Sequence, residues 1–222
     1  MDFTYIIRQL IISAPPILIA IILHEVAHGF IAHKLGDPTA KLMGRLTLNP
    51  LAHVDPFGTI LMPLLLFAVT NGQFVFGYAK PVPINPMNFK NPRKDMAIAA
   101  ISGPVTNLLL SVASAVLLKH VLYPLSFLLP GGAASAVIQP LALMLKASVI
   151  VNVILAVFNM LPVPPLDGGR VLMGILPKNQ AAILGKIEPF GFLIVILLVV
   201  TGISSYIIWP FIVLLLRLVE SV

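Results

Sequence analysis

Four long apolar stretches constrain the fold of this chain more than any other feature of its sequence. They cover residues 5–34, 95–118, 137–161 and 187–219, and each exceeds the roughly 20 residues that an α-helix needs to cross a bilayer. Charged residues make up only 10% of the chain, against about 25% in a soluble domain. Because a backbone in lipid must satisfy its hydrogen bonds internally, the sequence predicts an all-α polytopic membrane protein with about five to six membrane segments.

The regions between these stretches predict less regular structure. Residues 57–70 are apolar but short for a spanning helix and include Pro63, which favours a re-entrant segment. Alternation of apolar and polar residues at 41–48 indicates short strands. Residues 73–89 are rich in proline and indicate extended chain, as in a membrane-associated hairpin with a blunted edge. We therefore expect short β-strands or a hairpin after the first and second segments.

The sequence His24-Glu25-Val26-Ala27-His28, near the end of the first apolar stretch, carries the clearest chemistry. Residues four apart share one face of a helix, so His24 and His28 can direct imidazole nitrogens at one metal ion. Glu25 can then reach a water beside that metal as a general base. Two helix histidines and a snorkelling glutamate would be the alternative, but ionisable groups in an apolar segment are costly and usually mark a site. The motif also indicates that this segment is retained rather than removed as a signal peptide.

The positive charges indicate how the chain lies in the membrane. Ten of the 14 lysines and arginines fall in three connecting regions, at Lys34, Lys41 and Arg45, at Lys80, Lys90, Arg93 and Lys94, and at Arg170, Lys178 and Lys186. Cytoplasmic loops carry the excess of such residues, so all three regions are predicted to be cytoplasmic, provided that residues 57–70 do not cross. The net charge of +6 therefore reflects topology. No basic patch with aromatics or nucleic-acid-binding motif is present, so no nucleic-acid partner is expected.

A catalytic zinc ion usually has three protein ligands and one open position. The chain has no cysteine, so nitrogen and oxygen must supply all of them. The candidates for the third ligand are His33, His53, Asp55, His120 and Asp167. His33 lies about 140° around the helix from His28, and the charge pattern puts His120 on the opposite side of the membrane. Asp167 is favoured because flanking prolines and glycines give it an irregular chain path. His53 and Asp55 stay open, as does an N-cap role for Asp167.

Several polar or helix-breaking residues in the later apolar stretches are candidates for supporting roles. Asn107 is a polar group in an apolar helix and a candidate for substrate binding or support, with an interhelical hydrogen bond as the alternative. Gly103 permits a close helix approach, and Pro104 frees a backbone carbonyl. Asn159 can bond a ligand, a substrate backbone or a neighbouring turn, or it can cap the helix break at Pro162.

Together these residues resemble the site-2 protease family, the zinc-dependent intramembrane metalloproteases. The resemblance rests on His24-Glu25-x-x-His28, on Gly103-Pro104-x-x-Asn107 and on Asn159-x-x-Pro162-x-Pro164-x-Leu166-Asp167-Gly168. It implies a core of three helices, one Zn²⁺ per chain on His24, His28 and Asp167, and Glu25 as the catalytic base. It also implies hydrolysis of single-span membrane proteins or peptides within or beside the lipid bilayer of the cell membrane. Residues 73–89 would then present a strand edge to the unwound substrate.

We expect residues 1–222 to form a single integral membrane peptidase domain, with its motifs at about residues 10–170 and its last membrane segment or segments within 187–219. That last stretch is interrupted around residues 201–205 and at Pro210, so one bent helix and two separate segments both remain open. The chain has no room for the PDZ or CBS domains of many family members. A membrane transporter and a catalytically silent membrane-protein binder are the alternatives. The lack of internal repeats and the presence of Glu25 weigh against them.

Overall fold

The computed structural model of the protein describes residues 3–69 and 77–222, and it is built from helices and irregular connections. Its principal helices are α1 (Phe3–Lys34), α2 (Met62–Val69), α3 (Pro92–Val116), α4 (Gln139–Asn159), α5 (Asp167–Ile175), α6 (Lys178–Val200) and α7 (Ile203–Glu220). Within the described ranges, five helical stretches are long and apolar enough to cross a membrane, at Ile7–Lys34, Pro92–Leu128, Ala136–Asn159, Lys178–Leu198 and Ile203–Glu220. The predicted all-α architecture is confirmed.

Helix α3 lies at the centre of the bundle, where it contacts α1, α4, α5 and α7. Its inward face carries Ala99, Ala100 and Gly103, which are all buried. Small residues let helix backbones approach closely, and such packing replaces the hydrophobic force that lipid does not provide. The inward face of α3 therefore brings α1 and α5 close enough to share one site.

Two regions left uncertain by the sequence take a definite form. The C-terminal stretch is two helices, because α6 and α7 are separated at Thr201 and Gly202, where Gly202 adopts a φ of +75°. Pro210 lies inside α7 without ending it. The short second segment is a helical turn at Pro56–Leu61 followed by α2. It is too short to rank among the five spanning candidates, as its length predicted.

The predicted β-strands are wrong, since none of the described residues belongs to a strand. Residues 41–48 instead complete a helical turn at Thr39–Leu42 and reverse direction at Gly44, whose φ is +65°. Residues 77–85 have no regular secondary structure, and Pro81 and Pro83 have no N–H to donate to a strand ladder. Residues 73–76 of the predicted hairpin lie outside the described residues.

Hydrogen bonds from side chains and from the backbone of an earlier loop hold the segment 77–85 in place. Arg45 donates from Nη2 to the Lys80 carbonyl at 2.7 Å, and the Lys80 amide donates to the His53 carbonyl at 2.9 Å. Beyond the end of α1, the buried Asp37 carboxylate accepts the Asn85 amide at 2.7 Å. Burial raises the pKa of Asp37, but hydrogen bonds from Thr39, Asn88 and the Asn85 and Thr39 amides outweigh it and leave the pKa below its usual value. The segment is thereby held against the cytoplasmic end predicted for α1.

Candidate metal centre

Three predicted ligands converge where α1, α3 and α5 meet. His24 and His28 are one turn apart on α1, and their Nε2 atoms lie 3.0 Å from each other. Asp167 Oδ2 lies 3.1 Å from His24 Nε2 and 3.3 Å from His28 Nε2. Each of the three residues is only 7% exposed. The helical spacing of the histidines thus produces the shared face that the sequence predicted.

Hydrogen bonds at the other ring nitrogens fix the tautomers of both histidines. His24 Nδ1 donates to Asn107 Oδ1 at 2.5 Å, and His28 Nδ1 donates to the Ala99 carbonyl at 2.8 Å. With the protons on Nδ1, both Nε2 atoms present lone pairs to the Asp167 carboxylate. Accordingly, Asp167 Oδ2 is buried without a hydrogen-bond partner among the described residues. Three facing lone pairs in a buried site repel one another unless a cation lies among them.

The donor set fits a zinc ion. Zinc bonds to histidine nitrogen and carboxylate oxygen of about 2.0–2.2 Å, arranged tetrahedrally, put ligand atoms roughly 3.3 Å apart. The three ligand atoms of His24, His28 and Asp167 all lie within 4.8 Å of one another. Three protein ligands leave the fourth position of a tetrahedral ion open, which is the usual arrangement of a catalytic site.

Gly103 makes room for the two imidazole rings. A Cβ atom at this position would lie 2.5 Å from His28 Nε2 and 2.6 Å from His24 Cε1. The predicted close approach therefore occurs, and it brings α3 against the ligands themselves. Pro104, the next residue, is buried within α3 and lines a separate apolar cavity with Leu161 and Pro162.

Asn107 links His24, one of the candidate metal ligands, to the next helix. This fully buried residue accepts from His24 and donates from Nδ2 to Asn152 Oδ1 at 2.8 Å and to the Ala20 carbonyl at 3.2 Å. Asn152 on α4 is also fully buried and donates to the Ser148 carbonyl at 2.9 Å. The interhelical hydrogen bond that was the alternative for Asn107 is made, and the same side chain also bonds His24, a candidate ligand. The sequence analysis predicted no role for Asn152. Ser148 and Asn152 lie four residues apart in an apolar stretch, and such a polar pair indicates a buried site.

Asp167 reaches the site because the chain before it is tightly folded. It is the first residue of α5, and Leu166 occupies the N-cap position before it, which removes the N-cap alternative for Asp167. Gly168 is required beside it, since a Cβ would lie 2.2 Å from the Met160 carbonyl oxygen.

The other candidates for the third ligand have different partners. His53 bonds the Thr47 carbonyl, Asp55 caps the turn at Phe57, and His120 bonds the Val222 carbonyl. Together with His33, these remaining candidates do not join the cluster.

Glu25 and Asn159 line a cavity of about 370 Å³ that opens beside the three ligands; we call it the catalytic cavity. Glu25 Oε2 accepts the backbone N–H of Val82 at 2.7 Å, so the segment 77–85 forms one wall. Asn159 donates its amide to the Leu155 carbonyl at 3.0 Å within its own helix. The ring of Tyr78 meets that of Phe192 on α6, with centroids 6.1 Å apart.

The family model of peptidase family M50 matches residues 119–201. Over 194 residues the chain is 37% identical to "Putative zinc metalloprotease YwhC" of Bacillus subtilis, and the match covers 87% of this chain and 82% of that protein. The chain belongs to peptidase family M50, the site-2 protease family. Family membership confirms the resemblance seen in the motifs.

More distant members of the family extend this relation. "Putative zinc metalloprotease Rip2" of Mycolicibacterium smegmatis is 30% identical over 83% of this chain and 64% of its own length. The protein of the same name from Mycobacterium tuberculosis is 29% identical over 75% of this chain and 58% of its own length. The chain thus spans about three-fifths of the length of the Rip2 proteins. No solved structure matches it.

Proposed function

We propose that this chain, a site-2-type zinc metalloprotease by its family, holds zinc on His24, His28 and Asp167 and uses Glu25 as its general base. The observation that supports this assignment is the set of facing Nε2 and Oδ2 atoms at 3.0–3.3 Å. A carboxylate on the residue next to His24 lines the same cavity. The chain acts as one integral membrane peptidase domain.

The residues around the cavity have different roles in peptide hydrolysis. A bound zinc ion supplies Lewis acidity, which polarises a peptide carbonyl and makes a water molecule a stronger acid. Glu25 takes the proton of the attacking water and passes it to the leaving nitrogen. Asn107 and the Ala99 carbonyl hold the imidazoles in the tautomer that binds metal. Asn159, which lines the cavity, is placed to hydrogen-bond the substrate backbone.

The substrate is a membrane-anchored protein or peptide with a single span. Site-2 proteases cleave membrane-bound substrates, and the helices around this cavity are apolar enough to lie in lipid. In a lipid-buried helix, the backbone carbonyls accept hydrogen bonds from the helix itself and are not accessible to attack. The substrate must therefore unwind before it is cut. An unwound segment recovers hydrogen bonds by lying along an extended chain, and we assign this role to the segment 77–85 because it lines the cavity.

Cleavage of a panel of single-span membrane peptides tests the proposal. The purified chain should produce defined fragments, and a zinc chelator should abolish them, with activity returning when zinc is added. Product masses from the reconstituted protein, with and without chelator, are the measurement. Cleavage that persists without metal, or solute flux without any cleavage by the zinc-loaded protein, would count against a metalloprotease.

The catalytic cavity faces the cytoplasm of the cell in this proposal. The exposed residues Lys41, Lys90 and Lys178 lie in the three basic connecting regions, and Lys119 lies near the opposite end of the bundle beside Val222. The chain has no cysteine, so single cysteines can be introduced at each position. We expect an impermeant thiol reagent to label positions 41, 90 and 178 only from the cytoplasmic side, and the control position 119 only from the other. Labelling of one basic region from outside alone would contradict this topology.

A further inference from the structure

A second cavity, with a basic wall, adjoins the catalytic cavity. It has a volume of about 490 Å³ and its charged lining residues are Arg93, Arg170, Lys178 and Glu188; we call it the basic cavity. Arg170 also lines the catalytic cavity. Three cationic side chains and one carboxylate give the basic cavity a net positive lining, and Arg170 forms a wall that the two cavities share.

The guanidinium of Arg170 is unusual because nothing in the described chain pairs with it. Arg170 is half-buried, and no hydrogen bond or ion pair reaches its side chain from residues 3–69 or 77–222. Arg93 differs, since its Nη2 atom donates to the Met173 carbonyl at 2.9 Å and to the Leu176 carbonyl. A partly desolvated cation gains most from an anionic partner that supplies charge-assisted hydrogen bonds. The Arg93 guanidinium therefore has backbone partners within the fold, whereas the Arg170 guanidinium can bind a ligand.

We propose that the basic cavity binds carboxylate side chains on the cytoplasmic flank of the substrate, with Arg170 as the contact closest to the scissile bond. This inference rests on the proposed function. Arg170 follows Asp167 by three residues on α5, so the two side chains leave the helix about 5–6 Å apart. An extended peptide advances about 3.3–3.6 Å per residue. The separation of the two side chains therefore corresponds to about two residues of extended peptide, which places the acidic residue close to the cut.

Such a cavity would select against most membrane proteins. Their cytoplasmic flanks are enriched in lysine and arginine, and these side chains would be repelled by Arg93, Arg170 and Lys178. Unfavourable pairing with the wrong partner contributes to specificity as much as favourable pairing with the right one. The basic cavity thus distinguishes an acidic flank from the ordinary basic flank of a single-span protein.

The test uses the zinc-loaded full chain in neutral-lipid vesicles and three single-span substrates that differ only in the cytoplasmic flank, which carries glutamate, glutamine or lysine. For the wild type, we expect kcat/KM for the glutamate flank to exceed that for the glutamine flank by about 10- to 100-fold, with the lysine flank cleaved most slowly. Arg170→Gln should bring the glutamate-to-glutamine ratio close to one, and Arg170→Lys should retain part of it. Lys90→Gln removes an exposed cation that lines neither cavity and should keep the full ratio.

Several outcomes would overturn the inference. Equal cleavage of all three substrates by the wild type would refute it and leave the protease function intact, as would a ratio unchanged by Arg170→Gln. If no substrate is cut, the proposed function itself fails, and the affinity of the zinc-loaded Glu25→Gln variant for glutamate-flanked and glutamine-flanked peptides decides the binding question. Equal affinities would refute the carboxylate site. A charge preference that anionic lipid abolishes for every substrate would assign the cavity to lipid headgroups instead.

Discussion

Replacing Glu25 with glutamine should abolish peptide cleavage while leaving zinc in the protein. Glutamine keeps the size of the side chain, and its carbonyl oxygen can still accept the Val82 N–H that Glu25 accepts at 2.7 Å. It cannot take a proton from water, so the rate should fall by at least the roughly 10²–10⁴-fold that a general base contributes. The measurement is product formation from a single-span substrate by wild type and variant at matched zinc content.

Glu220→Gln is the matched control for this experiment. Glu220 is an exposed glutamate at the end of α7, far along the bundle from the catalytic cavity, and its variant should cleave at the wild-type rate. If Glu25→Gln and wild type cleaved equally well, Glu25 would not be the base and the proposed mechanism would be wrong. A loss of zinc in Glu25→Gln would instead make Glu25 a ligand.

Removing the carboxylate of Asp167 should empty the metal site. Wild type is expected to hold about one zinc per chain through three ligands, and Asp167→Ala leaves only the two histidines of α1. Because loss of an outer partner of a metal ligand already costs roughly 10- to 100-fold in affinity, loss of a ligand should cost more. Metal analysis after equilibration with a chelator of known affinity measures the difference.

His53→Ala provides the comparison for Asp167→Ala. His53 is also buried, at 3% exposed, but its Nε2 bonds the Thr47 carbonyl at 2.8 Å and it lies outside the cluster. Its variant should keep its zinc even if its stability is reduced. Zinc retained by Asp167→Ala and lost by His53→Ala would reverse the assignment of the third ligand.

Most of the candidate site follows from local spacing in the sequence. His24 and His28 are one helical turn apart, so any helix brings them together, and the apolar setting made an incidental role improbable. Asp167 required a further step, because only the charge distribution placed the ends of the first and fourth apolar stretches on one side. Asn152 and Arg170 were not singled out. Their roles depend on which residues of α3, α5 and α6 face them, and helix rotation within a bundle is set by packing rather than by hydropathy.

The predicted strands failed for a different physical reason. Alternating polarity at residues 41–48 is typical of a half-buried strand, but a strand also needs a partner that exchanges backbone hydrogen bonds. The nearby segment 77–85 has proline at positions 81 and 83, and backbone groups of Lys80 and Val82 bond Arg45, the His53 carbonyl and Glu25. These competing hydrogen bonds could not be read from the sequence.

The hydrogen bonds that orient the two histidines also hold the helices of the bundle together. Through Asn107 and Asn152 they join α1, α3 and α4, while Asp167 brings α5 to the same point. Lipid provides little hydrophobic driving force for these helices to associate, and a cation held by His24, His28 and Asp167 would join α1 to α5 by neutralising the facing lone pairs. Ion affinity and helix association are therefore linked quantities. The stability of the bundle in the membrane should follow the concentration of free zinc around it.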